Sequence, residues 1–223
     1  MIQFESITTD SFEYASFEIP PGTLCKIIMH SGYDKKIFLD TLLGLRKPAG
    51  GRAFLFGKNV YSISEQESFK IFRRLGMVRQ DGGLISNLKI WENIALPAWY
   101  HQGKRPEELE GKAVALLSAL GMDERGCADY MGKTPGELPA HEKRLAGMVR
   151  ESLAEPELMI YDSLFEEIAP ETAGALKALT LEFHSRRPGR SSVFISPDEQ
   201  SIEHIKAGMI LRQEGRELKL WRS

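Results

Sequence analysis

Lys35 stands where a strand gives way to a helix, a place where a lysine can meet a phosphate. The junction reads Met29-His30-Ser31-Gly32-Tyr33-Asp34-Lys35-Lys36-Ile37. A phosphate-binding loop of the form G-x-x-x-x-G-K-[S/T] uses its glycines to curl backbone N–H groups around phosphate oxygens, at the positive end of the next helix. Its lysine reaches the outer phosphates and its final hydroxyl holds Mg²⁺. Of the fixed positions only Lys35 is present: Met29 brings bulk, Asp34 a carboxylate, and Lys36 an ammonium instead of the hydroxyl. Taken alone, the tract is an ordinary strand–turn–helix with a solvated lysine pair.

Asp162 is the second residue placed for chemistry. It ends the apolar run 158–161, and the carboxyl end of a strand is where open α/β sheets hold ligands. There it would hold a metal or cap the following turn. Other polar residues carry less. His30, His141 and His204 lack the mutual spacing of a metal site, and Glu166-Glu167 has the pattern of a solvated acidic turn. Cys25 and Cys127 have neither CxxC nor metal-ligand spacing; they fit buried thiols, with a disulfide left open. Trp91 and Trp99 either line a groove for a partner helix or belong to a core.

The elements around these residues alternate. Segments 16–19 and 24–29 are expected as strands about the turn Pro20-Pro21-Gly22, and 35–45 as a helix with Ile37, Phe38, Leu39, Leu42 and Leu43 at helical spacing. Segment 52–56 is a strand. Ser64 with Glu67 forms a capping box that opens a helix through 75, and 77–79 is a short strand. From about 84 to 150 the texture turns helical, with 106–120 started by Pro106 and stopped by Gly121, and a further helix over 140–154. Alternation then resumes: strand 158–161, helix 171–184, strand 192–195, helix 200–207, and a terminal hairpin around Glu214-Gly215. The expected architecture is α/β with a helical insertion.

Composition bounds the function. The chain has 223 residues, enough for one sizeable core. Lys plus Arg number 29 and Asp plus Glu 31, so the net charge is −2, no footprint for nucleic acid or an anionic membrane surface. The opening MIQFESITTD lacks a basic region followed by an apolar run, so no signal peptide is expected. No stretch is long and apolar enough to span a bilayer, and no direct membrane insertion is expected.

Four further tracts stand in order: Gly76-Met77-Val78-Arg79-Gln80-Asp81; Leu88-Lys89-Ile90-Trp91-Glu92-Asn93-Ile94-Ala95-Leu96-Pro97; Pro135-Gly136-Glu137-Leu138 before a helix with Arg144 and Arg150; and Pro156-Glu157-Leu158-Met159-Ile160-Tyr161-Asp162. Over essentially the whole chain they resemble the ATPase subunits of ABC transporters, most nearly those of MCE-type (Mla-like) phospholipid transporters. The resemblance implies an α/β P-loop NTPase (ABC ATPase) core with N-terminal antiparallel β elements and an inserted helical subdomain. It implies one domain over 1–223, with 1–83 and 151–223 as the RecA-like/β core and 84–150 as the helical subdomain.

Carried over by position, Gln80 matches the glutamine that helps hold Mg²⁺ and senses the transmembrane partner, and Asp162 matches the Walker B aspartate. The family's general-base glutamate is here Ser163. The signature L-S-G-G-Q falls on Leu138-Pro139-Ala140-His141-Glu142, where Pro139 also removes an N–H donor. The D-loop becomes Glu166-Glu167-Ile168-Ala169, and the switch histidine falls on Pro197. Thr8-Thr9-Asp10 stands where an aromatic would stack on adenine, with Phe12 or Tyr14 as substitutes.

The implied cofactors are ATP and Mg²⁺, on a degenerate site of Ser31, Gly32, Lys35, Lys36, Gln80 and Asp162, with Gln80 and Asp162 toward the metal. The implied partners are a transmembrane permease, docked through Gln80, Leu88, Trp91, Glu92 and Asn93, and a second ABC ATPase subunit in a homo- or heterodimer. The chain would then lie at the cytoplasmic side of a membrane through its permease. The catalytic tracts are disrupted while 80–97 keeps the family pattern, as expected of a chain released from catalysis and kept for docking. A weak noncanonical ATPase and a free-standing P-loop-like regulator stay open as alternatives.

Overall fold

Ile2, Phe4 and Ile7 are buried, and around them β1 (Ile2–Thr8) pairs antiparallel with β2 (Ala15–Ile19) on one side and β4 (Gly50–Leu55) on the other. With β5 (Lys58–Asn59) the sheet has the order β2-β1-β4-β5. The reading by segment had no strand at 2–8. Its alternation is interrupted at Ser6, where φ is +48° and the register to β4 shifts. Opposite lies Gly51, φ +87°, where a Cβ would fall 2.4 Å from the Glu5 and Ser6 carbonyl oxygens; the bulge requires a glycine there.

The computed structural model describes residues 1–221; Arg222 and Ser223, which close the expected 151–223 segment, lie outside the described residues. By packing, the chain resolves into two units, Met1–Leu75 with Pro188–Ser223, and Gly76–Arg187.

In the first unit a second sheet has β3 (Leu24–Ile28) parallel to both β8 (Ser191–Ser196) and β9 (Met209–Glu214), with β10 (Glu217–Trp221) antiparallel on β9. Four of five residues of β3 and all of β8 are buried, the signature of parallel strands covered on both faces. Helix α1 (Gly32–Leu42) follows β3 and brings Phe38 against Phe4 at 5.4 Å and edge-on to Phe12 at 6.3 Å. The capping box of Ser64 and Glu67 forms as expected at the start of α2 (Glu65–Phe72). The helix stops short of Leu75, which begins β6 (Leu75–Val78).

In the second unit β6 and β7 (Leu158–Asp162) are neighbouring strands, and all five residues of β7 are buried. Between them in sequence come α3 (Ile90–Gln102), α4 (Pro106–Ala119), α5 (Glu124–Gly132) and α6 (Ala140–Ala154); α7 (Pro170–Ser185) comes after β7. The α/β fold with a helical insertion is present. One element is corrected: 200–207 is not a helix but a single 3₁₀ turn, Gln200–Ile202. The Asp198 carboxylate accepts from the Ser201 N–H at 2.8 Å, and the Ser201 hydroxyl lies 3.2 Å from the Asp198 carbonyl. These local bonds close a turn instead of propagating a helix.

Candidate functional site

Two groups of residues correspond to the expected site, one in each packing unit. In the first unit α1 starts at Gly32, two residues ahead of Asp34, and Ser31 is its N-cap. The Ser31 hydroxyl accepts from the Asp34 N–H at 3.2 Å and the Ser31 carbonyl from the Lys35 N–H at 3.0 Å. Amides that a phosphate loop leaves for a ligand are spent on the helix itself. Asp34 places its carboxylate in the first turn, where the helix dipole favours a negative charge, and Gln213 Nε2 donates to it at 3.0 Å. The cap was readable in Ser31-x-x-Asp34; Gln213, far off in sequence, was not.

Lys35 is 6% exposed, so the solvated reading fails for it and holds only for Lys36, which pairs with Asp40 one turn on. Met29 is fully buried, and its N–H donates to the Ser196 carbonyl. Next to it His30 Nδ1 donates to the carbonyl of Pro197, at 2.7 Å, so the switch position contributes a backbone oxygen. Phe12 is no adenine substitute: it is completely buried against Phe38, while Tyr14 is 71% exposed.

In the second unit the Asp162 carboxylate accepts from the Gln80 N–H at 3.4 Å, and the Gln80 side chain donates to Glu166 at 2.9 Å. Beneath them runs Arg144, 2% exposed, which donates to the carbonyls of Gln80, at 3.2 Å, and of Glu166. Burial holds its guanidinium below the ordinary arginine range, opposed by the Glu166, Glu167 and Asp162 carboxylates. Glu166 is therefore not a freely solvated acid; it accepts from the very side-chain amide that the resemblance assigns to holding Mg²⁺ and sensing the transmembrane partner. Ser163 is 2% exposed with φ +55°, a buried hydroxyl on a left-handed backbone. By sequence Arg144 stands only within its helix and Glu166 in a solvated turn at the D-loop position; neither is expected beside Gln80 and Asp162. At α6, Pro139 is the N-cap and Glu142 puts an acid in the first turn.

The docking residues divide. Gln80 and Glu92 are exposed, Leu88 and Trp91 half-buried, and Trp99 is 56% exposed, which removes the core reading for that tryptophan. Asn93 is 2% exposed and works from inside. Its Oδ1 accepts from the Ile85 N–H at 2.7 Å, and its Nδ2 lies 3.1–3.2 Å from the carbonyls of Ile85, Leu88 and Lys89. Glu92 accepts from the Lys89 N–H at 2.6 Å. Both residues shape the loop before α3. No group of three or more metal-ligating side chains occurs among the described residues, both cysteines are free and buried, and no described helix is long and apolar enough to cross a membrane.

A buried parallel strand leading through a capped turn into a helix, with an acid ending another buried strand, is the frame of an α/β ATP-binding cassette. The chain belongs to the ABC transporter family, whose model matches residues 12–166. It is similar to the methionine import ATP-binding protein MetN of Mesorhizobium japonicum, 27% identical over 94% of this chain and 55% of that protein. It is likewise similar to the intermembrane phospholipid transport system ATP-binding protein MlaF of Escherichia coli K12, 29% identical over 87% of this chain and 70% of that protein. A probable ribonucleotide transport ATP-binding protein of Mycobacterium leprae is 25% identical over 78% of this chain and 49% of its own length. The chain thus spans about half the length of the MetN and mycobacterial relatives. Its fold matches the ADP- and phosphate-bound dimer of the ATP-binding cassette MJ0796 with a TM-score of 0.84 at 19% identity, covering 100% of this chain and 98% of that one.

Proposed function

We propose that this chain is a degenerate ATP-binding-cassette subunit with a structural or regulatory role in a membrane transport complex, and that it does not hydrolyse ATP. The observation that carries the reading is the start of α1. Ser31 caps it from inside, and Asp34 brings a carboxylate to the turn where phosphate would lie. A polyphosphate there would meet a like charge and compete for an amide already bonded. The start of α6, where the resemblance puts the signature, repeats the pattern with Pro139 and Glu142. These residues do not fit ATP, and Gln80, engaged with Glu166, does not fit Mg²⁺.

Ser163 in place of a base removes an effect worth about 10²–10⁴ in rate. Such losses do not add independently, so Ser163→Glu alone is expected to restore nothing. The docking role rests on the tract 80–97, whose loop is held by Asn93 and Glu92. Its partner in this reading is a transmembrane permease, at the cytoplasmic side of the membrane, with a second cassette subunit alongside. The tracts 88–97 and 156–162, together with the likeness to MlaF, favour lipid as cargo over methionine or ribonucleotides.

Equilibrium binding of fluorescent ATP with and without Mg²⁺, followed by phosphate release, tests the proposal. The expected result is negligible affinity, no metal dependence and no release. Mg²⁺-dependent turnover that disappears in Lys35→Ala would establish the weak-ATPase alternative instead.

A further inference from the structure

Strand β6 ends its sheet, next to β7. In a strand the N–H and C=O of one residue point to the same side, and at an edge both need a partner from outside the sheet. Met77 finds both on α6. Its N–H donates to the Glu151 carboxylate, and its carbonyl accepts from Arg150 at 3.4 Å. Arg150 and Glu151 are themselves paired at 2.8 Å, with side chains only 12% and 11% exposed, so two neighbours on one helix stand in for a further strand. Burial pushes the Glu151 carboxyl above the usual carboxylate range, while Arg150 and the Met77 N–H pull it back.

The loop after β6 gives the second observation. Gly82 is buried although Gln80 and Asp81 before it are exposed. Its φ is +82°, and a Cβ there would fall 2.7 Å from the Lys143 carbonyl oxygen of α6. A Cβ on Gly147 would in turn fall 3.1 Å from the Gly82 carbonyl oxygen. Loop backbone therefore meets helix backbone with no side chain between them. Arg150, one turn past Gly147, donates to the Gly83 carbonyl at 2.7 Å. The Gly82 N–H donates to the Arg79 carbonyl at 2.8 Å and the Gly83 N–H to Asp81 at 3.0 Å. A glycine pair is ordinarily where a loop bends; here both glycines are held down.

We propose that segment 77–83 and α6 are latched into one body by Arg150, Glu151 and the Gly82–Gly147 contact, so that this loop follows the helix instead of flexing as a hinge. The latch lies on one face of α6, where Arg144, Gly147 and Glu151 recur at helical spacing, and Arg144 adds its bond to the Gln80 carbonyl. With 80–97 read as the docking tract, on which the functional side of this inference rests, a partner seated there pulls on α6 directly. The displacement then reaches the start of that helix at Pro139 and Ala140 undiminished.

Hydrogen–deuterium exchange of the whole chain at residue resolution, in low concentrations of urea, tests the latch. The Met77, Gln80, Gly82 and Gly83 amides should exchange at least about 100-fold more slowly than in an unstructured chain, with the same urea dependence as amides 145–149 of α6, the mark of segments that open together. Replacing the pair as a unit, Arg150→Met with Glu151→Leu, leaves no unpaired buried charge. In that variant exchange over 77–83 should quicken at least about tenfold while 145–149 stay within about twofold. Gly147→Ala keeps the pair and favours the helix, and should quicken Gly82 and Gly83 about threefold or more. Near-unstructured rates over 77–83 in the wild-type chain, or a urea dependence unlike that of α6, overturn the proposal. So does a double variant in which 77–83 is unaltered or α6 quickens equally. No partner is needed, so failure here is distinct from failure to recover a permease.

Discussion

Arg144 carries a charge inside the second unit and spends it on two backbone carbonyls, those of Gln80 and Glu166. Planarity lets one guanidinium serve both; an ammonium on a flexible stem cannot span the same pair. Arg144→Met and Arg144→Lys should therefore both lower the unfolding free energy measured in urea, by about 2–4 kcal/mol for Met and nearly as much for Lys. Full rescue by lysine would show that charge alone matters there. Cys25 makes a second prediction. Burial pushes its thiol up to about 12, from 9.0, so in the folded chain it stays protonated at pH values where the unfolded chain loses its proton. Stability contributed by the neutral thiol is complete below pH 9 and lost as pH rises toward 12. The alkaline limb of stability should fall more steeply in wild type than in Cys25→Ala, by up to about 1.4 kcal/mol per pH unit. Parallel limbs would contradict the assignment.

Among the elements, the β1–β4 bulge offers a contrast between two glycines with the same hand of φ. Gly51 has the Glu5 and Ser6 carbonyls 2.4 Å from a would-be Cβ, whereas Gly57, φ +77°, has nothing within 4 Å. Thermal melting should show Gly51→Ala costing about 3 kcal/mol or more and Gly57→Ala only about 1 kcal/mol, the left-handed backbone term alone. Such a bulge also explains what the sequence conceals. Strands β3, β7 and β8 were legible because both-face burial writes itself as a short, mostly apolar run, broken by Lys26 in β3 and by the end serines of β8, and α2 because Ser64 and Glu67 cap it locally. Strand β1 was not, since its alternation is interrupted at Ser6 and repaired by a residue some 45 positions away. The same distance rule governs the site. Lys35, Gln80 and Asp162 could be picked out by local motif, but the partners Gln213, Arg144 and Glu166 are set by tertiary packing. The turn at 200–207 carries a helical apolar pattern that Asp198 and Ser201 override.

For the molecule as a whole, ligand linkage separates the proposed subunit from a working ATPase. A ligand at one hundred times its dissociation constant adds about 2.7 kcal/mol, which at this size moves a melting midpoint by roughly 5–10 °C. With Mg²⁺ and ATP in excess, the midpoint is expected to move by less than about 1 °C. A shift of several degrees, present with ATP and absent with AMP, would restore the nucleotide site. Docking is a separate matter. Asn93→Ala should loosen the 85–89 loop and reduce recovery of a permease from detergent extracts while lowering the unfolding free energy by no more than about 2 kcal/mol. The first turn of α1 has one further consequence, for physiology. On the proposed reading, a subunit that carries its own anion at that position would neither gain nor lose when cellular energy charge falls. Its shape in a starved cell should match that in a growing one, and a transporter containing it would keep one flank constant while its other parts cycle.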